Sequence, residues 1–240
     1  MLSMSTKWIA ALGLAAVMTV PASAQVGHDP ARSPFTDLRW GQFVSVSVGR
    51  VFGSGGTLGL GPHHGQGIFL RHDFLADKAL SIALGAGYVQ ADRNYAGDLN
   101  STTDRIKGPV QRNLYLAEGV LQLNLTGGKT WRNLAPYANL GLGLAFGQKL
   151  PIDSTGYTFS TKFYFAPGAG VRAFLTRRLF VRVEARAVFW SLTYPGTYRT
   201  VDPDGLGPLK PILSGQPLKE WAPVPMIHAG LGYAFKNPFF

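Results

Sequence analysis

From residue 40 onward the chain alternates with period two, and its strand charges, Arg50 near the outer rim aside, fall on one phase of that alternation. The spacing predicts strands at about 40–52, 65–74, 79–91, 111–125, 134–147, 158–174, 179–192 and 224–235. One phase carries Val46 and Val48, Ile68 and Leu70, Ile82 and Leu84, Leu121 and Leu123, Leu140 and Leu142, Phe159 and Phe163, Val181 and Val183, then Ile227 and Leu231. It contains no Asp, Glu, Lys or Arg, and its one awkward member is His72. The other phase is small or polar. It carries Ser45, Ser47, Arg71, Asp73, Glu118, Lys162, Arg172, Arg182, Glu184, Arg186 and His228, with Gly85, Gly87, Gly141, Gly143, Gly168, Gly170, Gly230 and Gly232. A soluble sheet turns its charges outward. An apolar outside around a polar inside is instead the pattern of a strand that crosses a membrane.

Each segment is long enough for that crossing, which takes about 9–11 tilted residues. Open sheet edges cannot persist in hydrocarbon, so the strands must close into a ring. The connections fall at about 53–64, 75–78, 92–110, 126–133, 148–157, 175–178 and 193–223, with longer and shorter members taking turns. Short turns on one side and long loops on the other are what an up-and-down barrel requires, and an even strand number puts both termini beside the short turns. Aromatic residues near strand ends supply two girdles: Trp40, Phe74, Tyr233 and Phe235 at one, Tyr88, Tyr115, Phe146, Phe159 and Phe189 at the other. The expected fold is therefore all-β, an eight-stranded antiparallel up-and-down transmembrane β-barrel.

The first residues read as an export address. Lys7 precedes the apolar stretch 8–20, and Pro21 leads into Ala22-Ser23-Ala24, an A-x-A cleavage site. Residues 1–24 are thus an expected signal peptide, 25–39 a periplasmic N-terminal segment, and 40–240 the barrel. Charged residues make up only 15% of the chain, against about 25% in an average soluble domain. The absence of Cys excludes a disulfide scaffold and Cys-ligated metal sites. The net charge of +10 raises nucleic acid as a partner, but the basic residues are scattered singly apart from Arg177–Arg178, so none is expected.

With these features the chain resembles the small eight-stranded outer-membrane barrels of the OmpA/OmpX type over about residues 40–235. The last strand, Ala229-Gly-Leu-Gly-Tyr-Ala-Phe235, resembles the carboxy-terminal signal of such barrels. The resemblance implies outer-membrane lipid and lipopolysaccharide as surroundings, the barrel-assembly machinery as a partner through that strand, and a monomer. Either Phe235 or Phe240 is the aromatic that the machinery reads. No further periplasmic domain of ordinary size is expected after Phe235. Pro167 interrupts the sixth strand, and with Gly168 beside it a bulge is expected.

The inward charges are the leading chemical constellation: Arg71, Asp73, Glu118, Lys162, Arg172, Arg182, Glu184 and Arg186. Eight strands enclose only enough space for side chains. A self-satisfied ion-pair plug is the expected reading, and a narrow conduit for small or hydrophobic molecules is the alternative. His228 is expected near Ser47 on one neighbour and Arg186 on the other, a buried histidine rather than a catalytic base. A lipid A-modifying enzyme would need Ser, His and an acid converging near the outer leaflet, and the sequence assembles no such set.

His63–His64 sits in a Gly-rich loop and is too small for a closed metal site. Thr126-Gly-Gly-Lys-Thr130 lacks the first glycine and the helix of a phosphate loop. The glycosylation-like triplets at Asn100 and Asn124 are chance matches. No cofactor or metal is expected. Loops 92–110 and 193–223 carry the mixed charge of surface-interaction segments, and Arg50, Arg93, Arg112 and Arg199 lie where lipopolysaccharide phosphates would be.

Overall fold

The computed structural model describes residues 33–38, 40–97, 105–148, 150–153, 155–199 and 211–236. The expected signal peptide at 1–24 and most of the segment 25–39 lie outside these. The chain divides after Pro34, and everything below concerns Phe35 onward.

Among the described residues ten strands follow in order: β1 Phe35–Asp37, β2 Gln42–Val51, β3 Gly65–Leu75, β4 Leu80–Ala96, β5 Ile106–Asn124, β6 Lys129–Trp131, β7 Leu134–Gly147, β8 Thr161–Phe174, β9 Leu179–Thr193 and β10 Lys219–Phe235. Eight of them pair antiparallel around a ring, β2–β3–β4–β5–β7–β8–β9–β10, which the β10–β2 ladder closes. The two short strands form a ribbon beside the ring, β1 on β6. β6 turns back into β7 through Arg132 and Asn133, both at positive φ, the backbone that a two-residue hairpin turn demands.

The predicted phase holds on all eight long strands. Val46, Leu84, Leu142, Ile227 and Leu231 are at least half exposed on the outer wall, while Asp73, Arg172, Arg182 and Glu184 are buried within. An exposed apolar band of this extent belongs in hydrocarbon. Arg substituted for Leu142 or Val183 should therefore cost about 2–4 kcal/mol in a denaturant titration of protein refolded into lipid vesicles. Unchanged stability would overturn the face assignment.

Four expectations need correction. β4, β5 and β10 run several residues beyond their predicted ends at the long-loop side, so the loops there are shorter than 92–110 and 193–223. Pro223 hid the start of β10, and Pro225 follows it within the strand. The β2 ladder ends at Met226–Val51, and the Phe52 N–H donates to the Pro225 carbonyl (2.8 Å), so both imides look past the end of β2, where no ladder partner is lost. Pro167 makes no bulge. Pairing to β9 lapses at Ala166 and Pro167 and resumes at Gly168–Arg186 in the same register. An inserted residue would swing Arg172 to the apolar wall, a far greater cost than one missing hydrogen bond. Phe159 is not a girdle residue. β8 starts only at Thr161, and Phe159 folds inward over the ring with no exposure, its ring edge-on to Trp190 at 5.4 Å.

The fourth correction concerns the lumen, which is not polar throughout. At the short-turn end Phe43 meets Phe174 and Phe180 edge to face, those two rings lie tilted against each other, and Ala135 and Ala234 pack with them. Charges occupy the middle. Toward the long loops the inner face becomes apolar, with Phe69, Val89, Leu114, Leu116, Val188, Trp190, Val224 and Met226. This core continues into the loops through Leu60, Tyr157, Phe159, Tyr194, Tyr198 and Leu213.

Candidate functional site

The middle layer is built by strands that each contribute alternate residues. From β3, Arg71 and Asp73 point inward two apart, and Arg71 Nε donates to Asp73 Oδ1 at 2.9 Å. From β9, Arg182, Glu184 and Arg186 share the same phase, and Arg182 Nη2 donates to Glu184 Oε2 at 2.6 Å. The two strands meet across the lumen. Arg71 Nη1 reaches Glu184 Oε2 at 3.2 Å, and Arg182 Nη1 reaches Asp73 Oδ2 at 3.1 Å. From β8, Arg172 completes the set against Asp73 Oδ1 at 3.1 Å. Tyr137 of β7 bridges the group, donating to Glu184 Oε2 (2.7 Å) and accepting from Arg182 Nε (2.8 Å). Gln122, Asn124 and Ser81 extend the chain of hydrogen bonds from Arg71 toward the short-turn end.

A second group lies one level nearer the long loops. Arg186 Nη1 donates to Glu118 Oε1 at 2.5 Å, and the Tyr164 hydroxyl donates to Glu118 Oε2 at 2.9 Å. Gly85 and Gly141 on either side leave the room that the Glu118 carboxylate fills, since a Cβ at either would lie about 3 Å from it. Thus Arg71, Asp73, Glu118, Arg172, Arg182, Glu184 and Arg186 stand in one contiguous network.

Lys162 does not join it. It is half-buried at the long-loop end of β8, and among the described residues it makes no ion pair. The network therefore holds four guanidinium groups against three carboxylates. Arg172, fully buried, lies over the Phe43 ring at 4.4 Å, with Tyr137 at 5.5 Å and Phe180 at 6.0 Å. These aromatic faces supply part of the stabilisation that a fourth carboxylate would give.

His228 keeps its expected contact with Ser47, whose Oγ lies 3.2 Å from Nδ1. Its other neighbour is Glu184, not Arg186. The β9–β10 register sets His228 opposite Glu184 and Arg186 opposite Met226, and His228 Nε2 lies 3.4 Å from Glu184 Oε1. Serine, histidine and acid thus line up, the outline of a hydrolytic triad. The space around them, bounded by Phe69, Arg71, Glu118 and Arg186, amounts to about 10 Å³. That is scarcely the volume of one water, and no substrate carbonyl fits beside Ser47.

The loops close the long-loop end from above. Glu220 accepts hydrogen bonds from the Thr57 amide and hydroxyl, both at 2.8 Å, and from the Tyr194 hydroxyl, tying the first loop to the last. Thr155 bonds the Tyr198 hydroxyl. Burial pushes the Tyr157 and Tyr198 hydroxyls above their ordinary titration range, so both stay neutral packing groups. Arg93 is buried here, its Nε donating to the Leu60 carbonyl at 2.9 Å and its guanidinium over the Tyr157 and Phe159 rings. It therefore cannot reach a lipid phosphate. Arg112 is half-buried, and Arg199 donates to the Gln216 carbonyl; Arg50 alone of the four faces outward on the barrel wall.

His63 is buried against the Gly61 carbonyl, and among the described residues no group of His, Asp or Glu could hold a metal. Residues 126–128 form a turn and Lys129 and Thr130 open β6, Asn124 is buried, and Asn100 lies outside the described residues. The apolar layer was missed because its residues break the expected inner composition, yet the sequence carries a signal. In Leu114-Tyr-Leu116, Val188-Phe-Trp190 and Val224-Pro-Met226 both phases are apolar.

A closed antiparallel ring with an apolar exterior and charges inside defines an integral membrane β-barrel. The sequence matches the outer membrane protein beta-barrel domain family over residues 12–205, and the chain belongs to that family and to the outer membrane. Similar solved structures include the outer membrane protein OprG from Pseudomonas aeruginosa, at 13% identity and a TM-score of 0.48, covering 84% of this chain and 99% of that one. Another is Neisserial surface protein A, at 14% identity and a TM-score of 0.46, covering 85% and 98%. A third is the N-terminal β-barrel domain of Pseudomonas aeruginosa OprF, at 12% and 0.44, covering 80% and 97%. No curated protein sequence matches this chain.

Proposed function

We propose that this protein is a sealed, non-enzymatic, monomeric outer-membrane barrel with a structural or surface-interaction role, its long loops outside the cell and its short turns in the periplasm. The observation that carries the reading is the lumen itself. Aromatic rings, an ion-pair layer and an apolar core follow one another along its axis, and the hollow beside His228 in the charged layer measures about 10 Å³. The ion pairs hold the strands at fixed spacing, and the apolar core anchors the loops as a rigid platform. In the periplasm, β1 on β6 makes Phe35–Asp37 a strap beside the mouth. The last strand, β10, is the element offered to the assembly machinery.

The purified protein in planar bilayers should show no sustained conductance. Steady, ion-selective current from the wild type would replace the sealed barrel with a narrow conduit.

A further inference from the structure

The outer wall is not uniform at its long-loop end. On β7 to β10 the exposed positions there include the aromatic residues Phe146, Phe163 and Trp221, with Phe165 stacked on Phe189 at 4.8 Å. That is the usual girdle of a membrane interface. On β2 to β4 the same level is polar. Arg50 stands directly opposite Gln66, and Gln66 directly opposite Gln90, so one guanidinium and two carboxamides form a row across three strands on the outward face. Gln90 Nε2 donates to the Tyr88 hydroxyl at 3.2 Å, which fixes the end of the row.

Two hollows share this row. One, of about 450 Å³, runs down toward the membrane between Val48, Ile68 and Tyr88. The other, of about 330 Å³, opens upward past His64 and Asp92. Below them Val46, Val48, Ile68 and Leu70 are all more than half exposed, the surface on which acyl chains lie. Arg50 is exposed, and among the described residues it makes no ion pair. Such a charge on the membrane face is tolerable only at headgroup depth, where an anion can meet it.

We infer that the Arg50–Gln66–Gln90 row binds the phosphorylated sugar headgroup of an outer-leaflet glycolipid. The phosphate sits on Arg50, and the carboxamides and Asp92 take the sugar hydroxyls. The acyl chains continue down the groove over Val48 and Ile68. A sugar phosphate fits better than a simple phospholipid, because the row offers amide and carboxylate partners for hydroxyls beside a single cation. Asp92 in the upper hollow opposes a second phosphate there, so one phosphate per site is expected.

The inference rests on the long-loop end facing outward. That orientation is read separately with Thr197→Cys and Lys78→Cys: an impermeant thiol reagent on intact cells should label the first and not the second. Binding is then measured with the detergent-refolded protein and lipid A, by native mass spectrometry. Wild type should retain one lipid A, and Arg50→Ala should weaken retention at least tenfold. Lys78→Ala, at a distant exposed turn, should leave it unchanged. Lipid A stripped of its phosphates should bind the wild type no better than phosphorylated lipid A binds Arg50→Ala. A folded-barrel gel shift confirms that each variant is intact. Equal retention by wild type and Arg50→Ala, undiminished binding of dephosphorylated lipid A, or an equal loss in Lys78→Ala would each overturn the site, whatever the thiol labelling shows.

Discussion

Glu184→Ala should lower stability by about 3–5 kcal/mol, the cost of stranding a buried charge. Glu184 is 1% exposed and serves Arg71, Arg182, Tyr137 and His228 at once. Its removal leaves four guanidinium groups facing Asp73 and Glu118 alone. Arg71 and Arg182 keep their bonds to Asp73, so the network weakens without vanishing. Water entering the new space would reduce the loss. Glu184→Gln preserves shape and most hydrogen bonds, so its loss relative to the wild type isolates the charge, and the further loss in Glu184→Ala reports the shape and the hydrogen bonds. Urea titrations in lipid vesicles measure both, and a loss below about 1 kcal/mol for Ala would show that the layer is not dry. The variant should not conduct, because the Phe43–Phe174–Phe180 cluster and the Trp190 core still close the lumen on either side.

The face of each strand was legible because membrane crossing imposes a strict rule: one phase may carry no charge over the whole span. That rule fixed the inward position of every Arg and Glu in the network, and strand order followed from the alternation of long and short connections. Contacts within the lumen were less legible. Spacing placed Arg182 and Glu184 side by side, but it could not show that Arg71 reaches Glu184 across the barrel, since that depends on the tilt and stagger of the closed ring. His228 illustrates the limit, because a register offset of two residues exchanged Arg186 for Glu184 as its neighbour. Lys162 shares the inward phase but sits too near the rim to take part. Strand ends failed where local and tertiary preferences conflicted. Pro223 read as the end of a loop, yet the ladder from β9 holds it in a strand whose other edge has no partner to disappoint.

Trp190→Ala tests the layer that the alternation concealed. Trp190 has no exposed surface and packs edge-on against Phe159, within the core that joins the upper lumen to the loops. Truncating a buried tryptophan costs about 3–5 kcal/mol, part lost transfer and part cavity. The cavity would open within the same core as Tyr194, Tyr198 and Leu213, so the loops that rest on this core should loosen with it. Limited proteolysis of the folded barrel in vesicles should then cut in the β9–β10 connection faster than in wild type, while the transmembrane strands stay protected. The charge layer below is untouched, so the lumen should still carry no current. A Trp190→Ala barrel as stable as wild type would mean that the loops stand on their own. Conductance by the variant would mean instead that the apolar core, and not the ion-pair layer beneath it, is the barrier that closes the pore.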